Sequence, residues 1–344
     1  MKLDEASRED WKNLYEAAVE FKNTGCWDWM WDSDMFGVQN PDNGQIDYCC
    51  IMGRNKEHFA LAVYLGKEGL DAYLKIQTGE IAPSDPDALH IQKCLMASFE
   101  DRKFVQKRDM DLINKLGLKF RGGNAWPLFR NHEPGYYPWY LTKQEARYLA
   151  LCLKQAVDVA LRFKKDKKLL PKPVITGKCF VRIPETNNNT IIWKDKIMDL
   201  PRESEKKADY NCQFDSERAK EIGKNKMRSG IWEIDWFYLP SPVRDKDERP
   251  YFPKTILIAD NFSGLVIDFH MLKYSENLET AIDEFLTVLE GVDKMPYEIF
   301  VKKEDMFNIL KGPARILGMN IKQADHLPSL EEARNAMLNF QGFE

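Results

Sequence analysis

Apolar positions in the first half of the chain follow two periods, and each change of period predicts a new element. In SREDWKNLYEAAVEF they fall three and four residues apart, which predicts a helix capped by Ser7. In MFGVQNPDNGQIDYCCIMG and HFALAVYLG the apolar runs are short and bounded by turn residues, which predicts three strands. The remaining pattern predicts a helix in KEGLDAYLKIQ, a strand in KCLMASF, a helix in RDMDLINKLG, a short strand in LKF, and a long helix opened by a capping box of Thr142 and Glu145.

The second half repeats this order of elements. IWEIDWFYL, KTILIAD and GLVIDFHML predict three strands, and NLETAIDEFLTVLEG predicts a helix that ends at Gly291. YEIFV predicts a strand, EDMFNILKGPARILG a helix broken at Gly312 and Pro313, MNI a short strand, and SLEEARNAMLNF a helix opened by a capping box of Ser329 and Glu332. Both halves are therefore expected to run β-β-β-α-β-α-β-α. Duplication of one α/β unit is the economical explanation, and two unrelated domains with the same order are the alternative.

A segment of different character separates the two halves. GKCFVRIPETNNNTIIW predicts a hairpin that turns at residues 187–189, and DSERAKEIGKNK predicts a charged helix. We therefore expect an N-terminal α/β domain over residues 1–165, a connector with the hairpin and the charged helix over residues 166–229, and a C-terminal domain over residues 230–344. A chain of 344 residues is long enough to bury two cores.

Composition and charge narrow the classes of function. The formal net charge is -4 and the pI is about 5.9, so the chain as a whole does not attract nucleic acid or an anionic membrane. The sequence opens with a charged amphipathic segment that lacks an apolar signal core, and no apolar run approaches the roughly 20 residues that cross a bilayer. These features predict a cytoplasmic protein that does not enter a membrane, and they favour a protein partner or a small ligand over nucleic acid.

Side chains that carry chemistry form few recognisable patterns. The seven cysteines include no CxxC pair and mostly lie in apolar runs, which predicts buried free thiols and no zinc site. The five histidines have no metal-ligand spacing, and no GxSxG, GxxxxGK or GxGxxG run is present. Asp34, Glu100, Asp101 and Glu145 in the first half could form a carboxylate site, but charges at strand ends are common on any sheet. We therefore predict no cofactor from these patterns.

The element order of the second half resembles that of ribonuclease-H-like proteins. WEIDWFYLP and ILIADNFSGLVIDF, with the helix that follows, resemble the catalytic core of retroviral integrases and transposases. The resemblance implies an α/β fold class with α+β mixed sheets and ribonuclease-H-like topology. With the repeat described above, it implies two related β-β-β-α-β-α-β-α domains, an N-terminal helix and a connector that contains a β-hairpin.

The same resemblance suggests a set of candidate catalytic acids. Such cores carry an Asp on the first strand, an Asp after the fourth strand and a Glu on a later helix, which together hold two divalent cations about 3.5–4 Å apart. Asp235 matches the first position, but the second falls on two lysines at 302–303, whose ammonium groups would repel cations. Glu304 and Asp305 are possible substitutes, and Glu331 is a candidate for the third position. Under this interpretation the cofactor is Mg²⁺ or Mn²⁺, held by an incomplete carboxylate set.

These acids also have ordinary structural interpretations. Asp235 could be a charge on the open face of a sheet, and Glu304 and Asp305 suit the first turn of a helix, where acidic side chains stabilise the N-terminus. Over nearly its full length the chain resembles an uncharacterised bacterial family in which two domains of unknown function occur in tandem. MFGVQNPDNGQIDYCCIMG, HFALAVYLG and LGMNIKQADHLPSLEEA carry that resemblance, which implies no activity.

Aromatic residues concentrate in NAWPLFRNHEPGYYPWYL, which we expect to be a long loop before a helix. Its Trp126, Tyr136, Tyr137 and Trp139 are candidate ligand-binding residues, because loop aromatics can stack on a ligand or anchor a partner. They could equally fill a gap between the two halves. The leading hypothesis is a noncatalytic binding or interaction protein, and the alternative is a metal-dependent enzyme that processes nucleic acid.

Overall fold

Each half of the chain builds its own sheet in the structure, a computed structural model. It describes residues 5–82, 85–187, 190–201, 213–244, 248–272 and 276–340. The chain divides into a first unit, Met1–Ser204, and a second unit, Glu205–Glu344. No helix in these described ranges is both long enough and apolar enough to span a membrane.

The first unit contains five α-helices and seven strands among its described residues. Its helices are α1 (Arg8–Thr24), α2 (Gly66–Gln77), α3 (Lys107–Leu116), α4 (Lys143–Lys165) and α5 (Pro173–Thr176). Its strands are β1 (Phe36–Gln39), β2 (Ile46–Met52), β3 (Ala60–Tyr64), β4 (Cys94–Glu100), β5 (Trp126–His132), β6 (Lys178–Asn187) and β7 (Thr190–Asp199). The predicted capping box of Thr142 and Glu145 is confirmed at the start of α4, and Ser7 caps α1 as predicted.

The seven strands form one sheet in the order β5-β4-β3-β2-β1-β6-β7. Neighbours are antiparallel except for β1 and β6, which run parallel. Alternate residues of β2 face opposite sides of this sheet, as the period of a strand requires. Cys49 and Ile51 join the core beneath α1 and α4, whereas Tyr48 and Cys50 join a smaller core with residues of α2. Two buried layers therefore hold the first unit together.

The second unit has four helices and seven strands in the part of the chain that is described. The helices are α6 (Ser216–Asn225), α7 (Thr280–Gly291), α8 (Glu304–Leu317) and α9 (Pro328–Phe340). The strands are β8 (Met227–Arg228), β9 (Ile231–Tyr238), β10 (Lys254–Asp260), β11 (Val266–Leu272), β12 (Lys294–Met295), β13 (Glu298–Val301) and β14 (Asn320–Gln323). The short strands β8 and β12 form a separate parallel pair.

The main sheet of the second unit has the order β11-β10-β9-β13-β14. Its first three strands form an antiparallel meander, and β13 and β14 then add in parallel beside β9. Numbered along the chain within this five-stranded sheet, the order is 3-2-1-4-5, so the predicted ribonuclease-H-like topology is confirmed here. Residues of α6, α7 and α8 cover one face of the sheet, and residues of α9 cover the other.

The two halves share their element order but not their sheet. In the first unit β4 pairs antiparallel with β3, the strand before it, whereas the corresponding β13 of the second unit pairs parallel with β9, the first strand of its sheet. The predicted order β-β-β-α-β-α-β-α is confirmed in both halves, with the two-residue strand β12 added before β13 in the second, and the mixed α+β sheets are confirmed as well. The prediction that both halves share ribonuclease-H-like topology, as copies of one unit, is wrong for the first half because its five strands form a continuous meander.

The predicted connector is not a separate unit. Its hairpin, β6 and β7, extends the first sheet beyond β1, so the first unit continues well past residue 165. Its charged helix, α6, contributes Ala219 and Ile222 to the core of the second unit. The hairpin therefore belongs to the first unit, and the charged helix belongs to the second. The predicted hairpin turn falls partly at residues 188–189, outside the described residues.

Several local predictions differ from the structure. Residues 118–120 do not form a strand, and the strand of that region is β5 instead, inside the segment predicted to be a loop. α8 is continuous from Glu304 to Leu317 and includes Pro313, so the predicted break at this residue is wrong. α9 begins at Pro328, one residue before Ser329, so Ser329 is not its N-cap.

The thiols in the described residues are buried and free, as predicted. Cys26, Cys49, Cys50, Cys94, Cys152 and Cys179 form no disulfide, and Cys212 lies outside the described residues. Burial raises the pKa of Cys26 and of Cys94 to about 12, so neither thiol ionises near neutral pH. Thiolate chemistry is therefore not expected at these two positions.

Candidate functional site

Asp235, the main candidate acid, lies in the middle of β9, and its side chain is buried. It faces the side of the sheet covered by α9, together with Phe237, because residues two apart on a strand share a face. Its Oδ2 accepts hydrogen bonds from the backbone N–H groups of Lys302 at 2.6 Å and Lys303 at 2.8 Å, and its Oδ1 accepts one from the N–H of Trp236 at 2.8 Å. Both carboxylate oxygens are therefore engaged by the backbone.

The chain places those donors through the pairing of β13 with β9. The two strands run parallel, with Ile299 opposite Trp232 and Phe300 opposite Glu233, so the residues just after β13 come level with Asp235. Lys303 is also the N-cap residue of α8, and its own side chain makes no capping hydrogen bond. Asp235 therefore supplies a hydrogen-bond acceptor where α8 begins, a point at which helices leave N–H groups unpaired.

The two lysines at 302–303 affect the site through their backbone and through one ammonium group. Burial raises the pKa of Asp235, and the Lys303 ammonium and the three N–H donors oppose that rise. Nζ of Lys303 lies 3.5 Å from the centre of the Trp236 ring and donates to the Trp236 carbonyl at 2.7 Å. Nζ of Lys254 lies 4.7 Å from the same ring centre. The ammonium groups of two lysines therefore contact the ring of Trp236, the residue that follows Asp235.

The other predicted acids have separate roles. Asp305 accepts hydrogen bonds from Nε1 of Trp236, at 3.1 Å to each oxygen, and from the N–H of Met306 at 2.7 Å. Glu304 occupies the first turn of α8. Glu331, in α9, lies 3.7 Å from Nδ1 of His326. The structure does not bring these acids together with Asp235 as a metal-binding set.

Glu233 is a buried acid that the sequence analysis missed. It lies two residues before Asp235 on β9, has no solvent exposure, and accepts hydrogen bonds from Nδ2 of Asn261 at 2.5 Å and from the N–H of Leu330 at 3.0 Å. Leu330 is in the first turn of α9. The signal was present as the spacing E-x-D, which puts both carboxylates on one face of a strand. The two acids of β9 thus bind backbone at the starts of two helices.

A divalent metal pair does not fit the groups present. Among the described residues, no three His, Cys, Asp or Glu side chains come together as a metal site. The carboxylate set suggested for the first half is also dispersed. Asp34 pairs with Nζ of Lys172 at 2.6 Å, Asp101 accepts from the N–H of Asn124, and Glu145 takes part in the α4 capping box.

The four predicted aromatic residues do not share one groove. Trp126 is the first residue of β5, with its ring 5.8 Å from that of Phe120 and the Arg102 guanidinium 5.3 Å from its ring centre. Trp139 pairs through its backbone with Asn131, five residues further along β5. At roughly 3.4 Å per residue, that puts Trp139 about 17 Å from Trp126. Tyr136 and Tyr137 lie in the turn between β5 and Trp139, half-buried.

The next residue, Tyr140, is in contact with two arginines and lines a cavity. The guanidinium carbons of Arg108 and Arg130 lie 4.1 Å and 4.6 Å from the centre of its ring, and its hydroxyl donates to Gln106 at 2.6 Å. Tyr140 also lines a cavity of about 200 Å³ between α1, α3 and the middle of β5. Sequence reasoning noted Tyr140 within the aromatic segment, which also contains Arg130, but Arg108 lies outside that segment and is brought to the ring by the fold.

Comparison with known families places the chain among domains of unknown function. Residues 11–182 match the family described as domain of unknown function DUF7309, and residues 218–338 match the domain of unknown function DUF6930. The chain belongs to the DUF7309 family. The predicted tandem arrangement of two domains of unknown function is therefore confirmed, and no curated protein matches the chain.

Solved structures similar to this DUF7309 protein include retroviral integrases. A chain of the simian T-cell lymphotropic virus intasome in complex with PP2A regulatory subunit B56 gamma has a TM-score of 0.27 at 16% identity, over 34% of this chain and 42% of that chain. The HTLV-2 integrase catalytic core with magnesium, in its trimeric form, has a TM-score of 0.26 at 18% identity, over 33% and 69%. The BIV integrase catalytic core has a TM-score of 0.24 at 15% identity, over 33% and 72%. Likeness at this level says nothing about activity.

Proposed function

We propose that this DUF7309 protein is a noncatalytic binding protein. In this proposal the second unit has ribonuclease-H-like topology but uses the acids of its first strand to fix the fold. The observation that supports it most directly is the coordination of Asp235, whose two oxygens accept three backbone hydrogen bonds at 2.6–2.8 Å. The backbone thus occupies three of the roughly four acceptor positions of this carboxylate, which leaves it little capacity to share a pair of divalent cations.

The electrostatics around Asp235 support the same proposal. A pair of divalent cations is held by several carboxylates whose negative charge offsets their own. Here the Lys303 ammonium already acts on the Asp235 carboxylate and lowers its pKa. With a formal net charge of -4, the chain also lacks an overall attraction to nucleic acid, so the proposed ligand is a small molecule or a protein.

The alternative function is a metal-dependent nuclease or transposase-like enzyme that uses Asp235 with Glu304, Asp305 or Glu331. It requires Asp235 and at least two other acids to approach a shared ion within about 2–2.5 Å. No observation on the described residues favours it over the binding protein. The two functions nevertheless make opposite predictions about divalent cations.

Thermal unfolding with and without Mg²⁺ or Mn²⁺ tests the proposal. The wild-type protein, Asp235→Asn and Asp293→Asn are compared, because Asp293 is an exposed Asp of the same unit and provides a matched change of charge. A metal that binds only the native state raises the melting temperature. We expect no metal-dependent rise in any of the three proteins. A rise of several degrees that is lost in Asp235→Asn but kept in Asp293→Asn would overturn the proposal in favour of the enzyme.

A further inference from the structure

The cavity beside Tyr140 combines a partly enclosed volume with aromatic and cationic side chains, which are features of a ligand-binding site. Residues of α1 and α3 form most of its wall, and Phe129 in the middle of β5 and the residues before α4 complete it. The lining residues that bear on a ligand are Arg8, Trp11, Tyr15, Arg108, Lys115 and Tyr140. All of them belong to the first unit.

The size of the cavity limits its ligand to about one ring. Its volume is about 200 Å³. Pockets for drug-sized ligands span about 300–1,000 Å³, whereas an engineered cavity of about 150 Å³ is known to hold benzene. Trp11 and Tyr140 contribute aromatic surface to the wall, which suits a planar ring.

Positive charge predominates at the cavity. Arg8, Arg108 and Lys115 line it, and no described residue forms an ion pair with any of them. Two acids also line it, but Asp109 is already paired with Arg130, at 2.7 Å between Oδ2 and Nη2, which leaves only the carboxylate of Glu5. The cations therefore outnumber the available anions, and a ligand with a negative group would be attracted.

Tyr15 adds a polar group to the wall of the cavity. It is 2% exposed, lines the cavity, and packs edge-on against Phe129 with ring centres 5.0 Å apart. No described residue forms a hydrogen bond with its hydroxyl. Burial raises the pKa of Tyr15, with Asp109 adding to the rise and Arg130 opposing it, so the hydroxyl stays protonated near the ion pair of those two residues. Because Tyr15 lines the cavity, a ligand there can supply the hydrogen-bond partner that the described residues do not.

We propose that this cavity binds a small organic anion built on one planar ring, with the anionic group at Arg108 and its neighbouring cations and a polar ring substituent at the hydroxyl of Tyr15. Arg108 lies in the first turn of α3, where its guanidinium already stacks on Tyr140 and can offer N–H groups to a carboxylate or phosphate. The inference rests on the proposed binding function and names the class of ligand.

Titration calorimetry with simple probes tests the inference on the full chain. The probes are 4-hydroxybenzoate, phenyl phosphate, and the uncharged 4-hydroxybenzyl alcohol. We expect 4-hydroxybenzoate or phenyl phosphate to bind at least tenfold more tightly than the alcohol, because only the anions can form charge-assisted hydrogen bonds with Arg108. The stronger of the two anions identifies the ligand as a carboxylate or a phosphate.

Three variants separate this site from general charge effects. Arg108→Gln should weaken the preferred anion about tenfold and leave the alcohol unchanged, since a tenfold change corresponds to about 1.4 kcal/mol. Lys107→Gln, an exposed neighbour in α3 that does not line the cavity, should match the wild type. Tyr15→Phe removes only the hydroxyl and should weaken 4-hydroxybenzoate and the alcohol alike.

Absence of binding by both anions at millimolar concentration, equal affinity for the alcohol, or an unchanged affinity in Arg108→Gln would overturn the inference. None of these results would contradict the proposed noncatalytic function, which fails only on metal-dependent stabilisation through Asp235. The two proposals can therefore fail separately.

Discussion

Arg130 and Asp109 form a two-pronged ion pair that joins β5 to α3. Nη1 donates to Oδ1 at 2.9 Å and Nη2 donates to Oδ2 at 2.7 Å, with the side chains 14% and 9% exposed. The planar guanidinium matches the two oxygens of the carboxylate, so the pair fixes both distance and orientation. It also holds the guanidinium of Arg130 against the ring of Tyr140.

Loss of the Asp109 charge should therefore destabilise the first unit strongly. Asp109→Asn leaves the Arg130 guanidinium largely buried without a counter-charge, which we expect to cost about 3 kcal/mol of unfolding free energy. Asp111→Asn, an exposed Asp of the same helix, should change stability by less than about 0.5 kcal/mol. Urea unfolding of both variants measures the difference. Equal stability of the two would show that the pair contributes little.

The capping box of α1 predicts a dependence of stability on pH. Asp10 accepts hydrogen bonds from Ser7 Oγ at 2.6 Å and from Nε of Arg147 at 2.6 Å, and these partners lower the pKa of Asp10 to about 2. Because the folded pKa lies below the ordinary value of about 3.9, the stability that Asp10 contributes is present above about pH 4 and is lost as the pH falls towards 2.

Asp10→Asn should therefore be about 1 kcal/mol less stable than the wild type at pH 7, as for loss of a helix cap. The difference should shrink between pH 4 and pH 2, measured by denaturant unfolding across that range. Glu9→Gln changes an exposed carboxylate in the same turn and is the control. A difference for Asp10→Asn that stays constant down to pH 2 would contradict the assigned role of the carboxylate.

The two buried acids of β9 should protect different helices. Glu233 accepts the N–H of Leu330 in α9, and Asp235 accepts the N–H of Lys303, the residue that caps α8. Glu233→Ala should speed amide exchange at Leu330 and spare Lys303, and Asp235→Ala should do the reverse. Each should also lower the free energy of unfolding by about 1–3 kcal/mol, because buried donors lose their acceptor.

Amide hydrogen exchange followed by NMR tests this crossed pattern, and each variant serves as the control for the other. If both variants speed exchange equally at Leu330 and Lys303, the acids contribute only to global stability. That result would remove the assigned anchoring roles.

The order of elements could be predicted from the sequence because it depends on local patterns. The spacing of apolar residues and the caps of α1 and α4 act within a few residues of each other. β5 was missed because Pro127 and the surrounding aromatic residues resemble a loop. Its position explains the proline, since β5 is an edge strand of the sheet and an edge strand tolerates a residue without an N–H.

The pairing of strands could not be predicted in the same way. β4 and β13 follow a helix in equivalent slots, yet one extends a meander and the other crosses to the first strand of its sheet. That choice depends on which buried faces meet across the chain, which local periodicity does not encode. For the same reason the sequence indicated Asp235 as a candidate site residue but not its partners. The residues at 302–303 were considered only for the charge of their side chains, whereas their backbone N–H groups bind Asp235.

The hairpin of β6 and β7 should be required for folding of the first unit. β6 pairs with β1 and contributes the buried side chains of Phe180 and Val181, each of which stabilises the fold by about 1.5–3 kcal/mol when buried. A fragment of residues 1–165 would lack both and would expose β1 as an unpaired edge. We expect the fragment 1–204 to unfold cooperatively in urea, and the fragment 1–165 to aggregate or to lack a cooperative transition. Near-ultraviolet circular dichroism of the two fragments checks this, and the same transition midpoint in both would contradict assignment of the hairpin to the first unit.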